Sequence, residues 1–148
     1  MSFELRCLGA EVPGATFEAS MAGMEFLLRA MAAQEVLVMT PIPDPALAHL
    51  RSFRAKGIGK VPFAKFRSAD GWHLVPEECL SISRVLSALL MDERKLRTLF
   101  DEFGKPWDTP ESDLWFIQSF ADFCRKASNA GGFTVHRRAE PALQAVKA

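Results

Sequence analysis

KFRSADGWHLVPEEC, residues 65–79, decides how this chain is read, because it crowds a basic pair, an Asp-Gly turn signal, a Trp, a His, adjacent Glu residues and a Cys into one short stretch. Such density fits either a reaction centre or a folding junction. Local geometry favours the junction. KVPFAKF (60–66) and WHLV (72–75) read as strands, and Ser68-Ala69-Asp70-Gly71 between them is a hairpin signal. Pro76 is pre-set for the first helical position, so a helix is predicted from there to about Met91, burying Cys79, Ile82, Val85, Leu86, Leu89 and Leu90. Glu77 and Glu78 then lie in its first turn, where carboxylates meet unpaired backbone N–H groups. Successive helical residues point roughly 100° apart, so these two cannot flank one bond as an acid/base pair.

Upstream, SFELRCL (2–8) alternates Phe3, Leu5 and Cys7 against Glu4 and Arg6, the pattern of a half-buried strand. Glu11 to Gly14 reads as a turn. Ser20 can cap a helix to about Ala33, with Met24, Leu27, Leu28 and Met31 on one face. VLVM (36–39) fits a strand or a helix tail. TPIPDP (40–45) is a stiff connector, since its prolines remove donors and hold their predecessors extended. ALAHLRSFRAK (46–56) reads as a helix stopped by Gly57.

Downstream, Leu96, Leu99, Phe100 and Phe103 recur at helical spacing in 92–104, with Gly104 as the stop. KPWDTP is a second connector. Thr109 caps and Pro110 starts a long helix to about Asn129, ended by Gly131 and Gly132. FTVHR (133–137) alternates as a last strand. The expected fold is α+β: a small, mainly antiparallel sheet with four to five helices packed on one face in two layers. A single domain is expected over 1–137, with a loosely ordered tail at 138–148.

The 148 residues carry 18 basic and 18 acidic side chains, so net charge is zero, and a 49% hydrophobic share marks a globular chain. Twelve phenylalanines and three tryptophans, with no tyrosine, make the aromatics core material, and only the indoles carry a polar handle. Three cysteines, Cys7, Cys79 and Cys124, form no motif-spaced pair and read as free thiols in a reducing compartment. Glu4 and Arg6 interrupt what would be a signal peptide's apolar core, and no apolar run is long enough to span a membrane. A cytoplasmic protein is expected, with no cofactor.

Charge is segregated. Residues 45–69 hold six bases, Arg51, Arg54, Lys56, Lys60, Lys65 and Arg67, and no acid, whereas 70–124 hold eleven acids against five bases. Phe53, Phe63 and Phe66 interleave with the bases, as in nucleic-acid surfaces, but a neutral chain fits an acidic protein partner better. Cys79, near a helix N-terminus with His73 upstream, is a candidate nucleophile–base pair, set against its apolar helix face. His49, His73, His136 and the cysteines have no metal-ligand spacing. Lys56-Gly-Ile-Gly-Lys60 lacks the full phosphate-loop pattern. In the last helix, Trp115 falls on the polar face in line with Ser119, Asp122 and Lys126. Either Trp107 and its loop fold over it, or it anchors a partner.

The stretches Lys65–Cys79 and FADFCRKASNAGGF (120–133) resemble a group of small bacterial intracellular proteins of unassigned function, as do, more weakly, MSFELRCLG and Gly23-Met24. The resemblance implies a compact bacterial protein and transfers no activity. The functional expectation is a small non-enzymatic protein-binding protein, of the immunity, antitoxin-like or adaptor kind. Its contacts would come from the six bases with Trp115 and Trp107, and a homodimer is admissible. The alternatives are a small enzyme using Cys79 with His73, and nucleic-acid binding through 51–67.

Overall fold

The computed structural model describes residues 2–9, 15–40, 52–67 and 70–138. In chain order the elements are β1 (Ser2–Cys7), β2 (Thr16–Ser20), α1 (Met21–Ala33), β3 (Leu37–Val38), β4 (Val61–Pro62), α2 (Ala64–Arg67), β5 (Asp70–Leu74), α3 (Pro76–Leu90), α4 (Glu93–Glu102), α5 (Glu111–Ser128) and β6 (Phe133–Arg138). The fold is α+β, as expected: an antiparallel sheet in the order β2-β1-β6-β5, against which the helices pack. A separate two-stranded ladder joins β3 to β4 in parallel. No helix among the described residues is long and apolar enough to cross a membrane.

Period-2 alternation in β1 and β6 turns Phe3, Leu5, Cys7, Phe133 and Val135 to the helical layer, where all are buried. Ser20 caps α1 by accepting a hydrogen bond from Gly23 N at 3.0 Å. Helix α3 begins at Pro76, and Glu78 Oε1 reaches back to accept from Val75 N at 3.0 Å. The longest helix–helix seam is α3 on α5, built on Cys79, Ile82, Leu86, Ile117, Phe120 and Cys124. Phe17 of β2 closes the core beside α5, its ring 5.8, 5.3 and 5.7 Å from those of Phe116, Phe120 and Phe123.

Three local expectations are corrected. Segment 60–66 is not a hairpin strand: β4 stops at Pro62, Ala64–Arg67 is a helical turn, and β5 pairs with β6 instead. Proline lacks the N–H needed to continue a ladder, and the helical turn that follows buries Ala64, Lys65 and Phe66. The predicted helix over 46–56 lies mostly outside the described residues, and its described end, 52–56, is not helical. There Phe53 seats edge-on against Trp72, with ring centroids 5.3 Å apart, and Gly57 turns the chain at φ 102°. Helix α5 takes Pro110 as its N-cap, with no side-chain cap bond, so Thr109 does not cap it. The connector at 41–45, the turn at 11–14 and the tail from 139 onward lie outside the described residues, and Arg138 is the last residue of β6.

Candidate binding surfaces

Among the described residues, the bases of this stretch do not all reach the surface. Lys65 is fully buried, which corrects its assignment to a partner contact. Its Nζ donates to Glu78 Oε1 at 2.6 Å and to the His73 carbonyl at 2.8 Å, and lies 5.2 Å from the centre of the Phe53 ring. Burial pulls the Lys65 pKa below its ordinary value, while the Glu78 carboxylate pulls it back up. Glu78 Oε2 has no hydrogen-bond partner among the described residues. The pair therefore locks α2, β5 and α3 together.

Of the other bases, Arg54 pairs with Glu77 at 2.6 Å and Lys60 donates to the Glu35 carbonyl at 2.7 Å. Lys56 is exposed, and Arg67 lies over the Phe63 ring at 5.5 Å. Arg51 and His49 lie outside the described residues.

Cys79 and His73 do not form a reactive pair. Cys79 is fully buried, its Sγ is 3.7 Å from the Leu74 carbonyl oxygen, and desolvation pushes its pKa up to about 12. The helix N-terminus favours a thiolate, but burial among apolar side chains outweighs it. Both nitrogens of His73 have other partners: Nε2 lies 2.8 Å from the Gly131 carbonyl and Nδ1 2.7 Å from Ser52 Oγ. A carbonyl only accepts, so in the neutral ring Nε2 carries the proton and Nδ1 accepts from the Ser52 hydroxyl. This chain ties the 52–54 segment to β5 and to the turn before β6. Gly132 makes the approach possible: a Cβ there would fall 2.0 Å from the Leu74 carbonyl oxygen and 2.8 Å from His73 Nε2.

Metal ligation finds no cluster of three His, Cys, Asp or Glu side chains among the described residues.

Trp107 and Trp115 part company. Trp107 packs edge-on against Phe100, ring centroids 5.1 Å apart, with the Arg97 guanidinium 5.0 Å from its ring centre. It belongs to the edge of the core and does not cover Trp115, which stays 70% exposed on the outer face of α5. Below Trp115 on the same stripe, Ser119, Asp122 and Lys126 wall a cleft of about 220 Å³ whose other side is Thr16 and Phe17 of β2, with Phe123 at its base. β2 is an edge of the sheet, paired to β1 on one side and to no described strand on the other. The polar stripe of α5 therefore faces a strand edge.

A second concavity follows α1. One cavity of about 420 Å³ lies between α1 and α4, lined by Arg29, Ala32, Ala33, Arg94, Lys95 and Glu102, among others. Another of about 260 Å³ lies between α1 and α2, and shares Arg29 and Ala32 with the first. Sequence reasoning missed Arg29, Arg94 and Lys95, because they come from two elements and Arg94-Lys95 reads as part of the mixed-charge DERKLR stretch of α4. The signal for Arg29 is its helical phase with Glu25 and Ala32, on the side of α1 outside the apolar stripe.

No family model, no curated protein and no solved structure matches this chain.

Proposed function

We propose that this is a non-enzymatic, cytoplasmic protein-binding protein of the immunity, antitoxin-like or adaptor kind. It docks an extended segment of a partner between β2 and α5. The observation that carries the reading is Trp115, 70% exposed and one helical turn from Ser119, which lines a cleft against the sheet edge β2, itself paired with no further described strand. An edge strand offers a row of backbone donors and acceptors, the basis of recognition by strand addition. The Phe17–Phe123 cleft would take one apolar side chain of the added strand, and Trp115 would cover it as an aromatic anchor. Three buried free thiols fit a reducing compartment.

Selection of short random peptides on the folded protein tests this. Enriched sequences should carry a recurrent apolar position, protect the Thr16–Ser20 amides from hydrogen exchange, and lose most of their binding to Trp115→Ala. Binders that ignore Trp115→Ala and leave β2 exchange unchanged would overturn it. Concentration-dependent dimerisation abolished by the same substitution would instead assign the edge to a second copy.

A further inference from the structure

Beyond the β2–α5 cleft, we propose that the trough along α1 is a second docking site, built for an acidic segment of a partner protein that carries apolar side chains. Its floor is the outward stripe of α1, where Glu25, Leu28, Arg29 and Ala32 follow one another at helical spacing, with Ala33 beside them. Small side chains at 32 and 33 leave the helix backbone open to close approach. Leu99 and Phe103 of the α4 side and Phe63 before α2 supply apolar walls.

Charge identifies the occupant. Four cations, Arg29, Arg67, Arg94 and Lys95, line the two adjoining cavities, against the two acids Glu25 and Glu102. Glu102 is already engaged by Arg29, whose Nε donates to it at 2.5 Å. Lys95 donates to Gln34 Oε1 at 3.0 Å, a neutral partner that leaves its charge uncompensated. Arg94 makes no side-chain ion pair among the described residues. A surplus of positive charge around an apolar floor is complementary to carboxylates flanking apolar side chains. It suits nucleic acid less well, because the floor offers alanines and a leucine, and the two aromatic walls are already engaged, Phe63 by the Arg67 guanidinium and Phe103 by the Phe26 ring.

Titration calorimetry with a synthetic peptide of alternating Glu and Leu residues tests the site on the intact protein. Its Gln-for-Glu counterpart and a single-stranded oligonucleotide serve as comparisons. The acidic peptide should bind, the neutral one should bind at least about tenfold more weakly, and rising salt should weaken the first alone. Arg94→Glu with Lys95→Glu, both exposed positions, should reduce acidic-peptide affinity by about tenfold or more. Trp115→Ala should leave it unchanged, which separates this site from the cleft at β2. Equal binding of the two peptides, no binding of either, insensitivity to the charge reversal, or tighter binding of the oligonucleotide would each overturn the proposal.

Discussion

Lys65–Glu78 and Arg29–Glu102 are ion pairs of almost the same length, 2.6 and 2.5 Å, in opposite surroundings. The first is sealed between α2, β5 and α3, with side-chain exposures of 0% and 1%; the second stands in the open trough, at 56% and 38%. Similar chemistry does different things in the two places. Around Lys65 the cost of stripping water from both charges has already been met by folding, so neither partner can be removed alone. Around Arg29 water and salt share the charges, so the pair contributes little to stability and remains available to a ligand. The buried pair organises the junction, and the exposed one shapes a surface.

The largest expected effect breaks the buried pair. Lys65→Met should destabilise the protein by about 3–5 kcal/mol in urea unfolding, because the Glu78 carboxylate is left buried without its cation. Lys65→Met with Glu78→Gln should recover more than half of that loss, since the amide oxygen can still accept from Val75 N. Gly132→Ala comes next, at about 3 kcal/mol, from the overlap with the Leu74 carbonyl and a backbone φ of 89°.

Alkaline pH gives a graded effect. The thiols of Cys7, Cys79 and Cys124 are all raised above their ordinary pKa of 9.0 by burial, that of Cys79 to about 12. Unfolded thiols lose their protons above about pH 9 while folded ones keep theirs, so their contribution is fully present below that pH and falls as pH rises towards the folded value. The decline should approach about 1.4 kcal/mol per pH unit for Cys79. Lys65 has the opposite sign: its lowered folded pKa favours unfolding until its unfolded counterpart also deprotonates. Cys79→Ala should therefore flatten the alkaline fall of the unfolding free energy between about pH 9 and 11, and an unchanged slope would contradict the burial argument. In the trough, Glu102→Gln should leave the urea midpoint where it was and strengthen acidic-peptide binding, since it removes one of the two carboxylates facing the ligand.

Much of this contrast is legible in sequence, and the rest fails for identifiable reasons. The alternation of Phe3, Leu5 and Cys7 and the stripe of Cys79, Ile82, Leu86 and Leu89 settle β1 and the buried side of α3, because one residue's neighbours along the chain suffice. The apparent hairpin at 68–71 fails because strand pairing is a long-range choice: β5 finds β6 roughly sixty residues later. Lys65 reads as a surface base because a buried lysine is rare and its carboxylate partner sits beyond a turn. Trp115 is visible as an anomaly from its helical phase alone, whereas the strand edge that its stripe meets at Ser119 emerges only from the order β2-β1-β6-β5. Arg94 and Lys95 remain silent until α4 is laid against α1.

The absence of tyrosine gives the three tryptophans a further consequence. Near-ultraviolet emission is then essentially that of the indoles, and the fold grades them: Trp72 buried, Trp107 half-covered, Trp115 in water. A soluble quencher should extinguish the red-edge component first and leave a blue remainder from Trp72. The two docking sites then announce themselves in different colours: an occupant at β2 shields the red component, while one in the trough leaves it accessible.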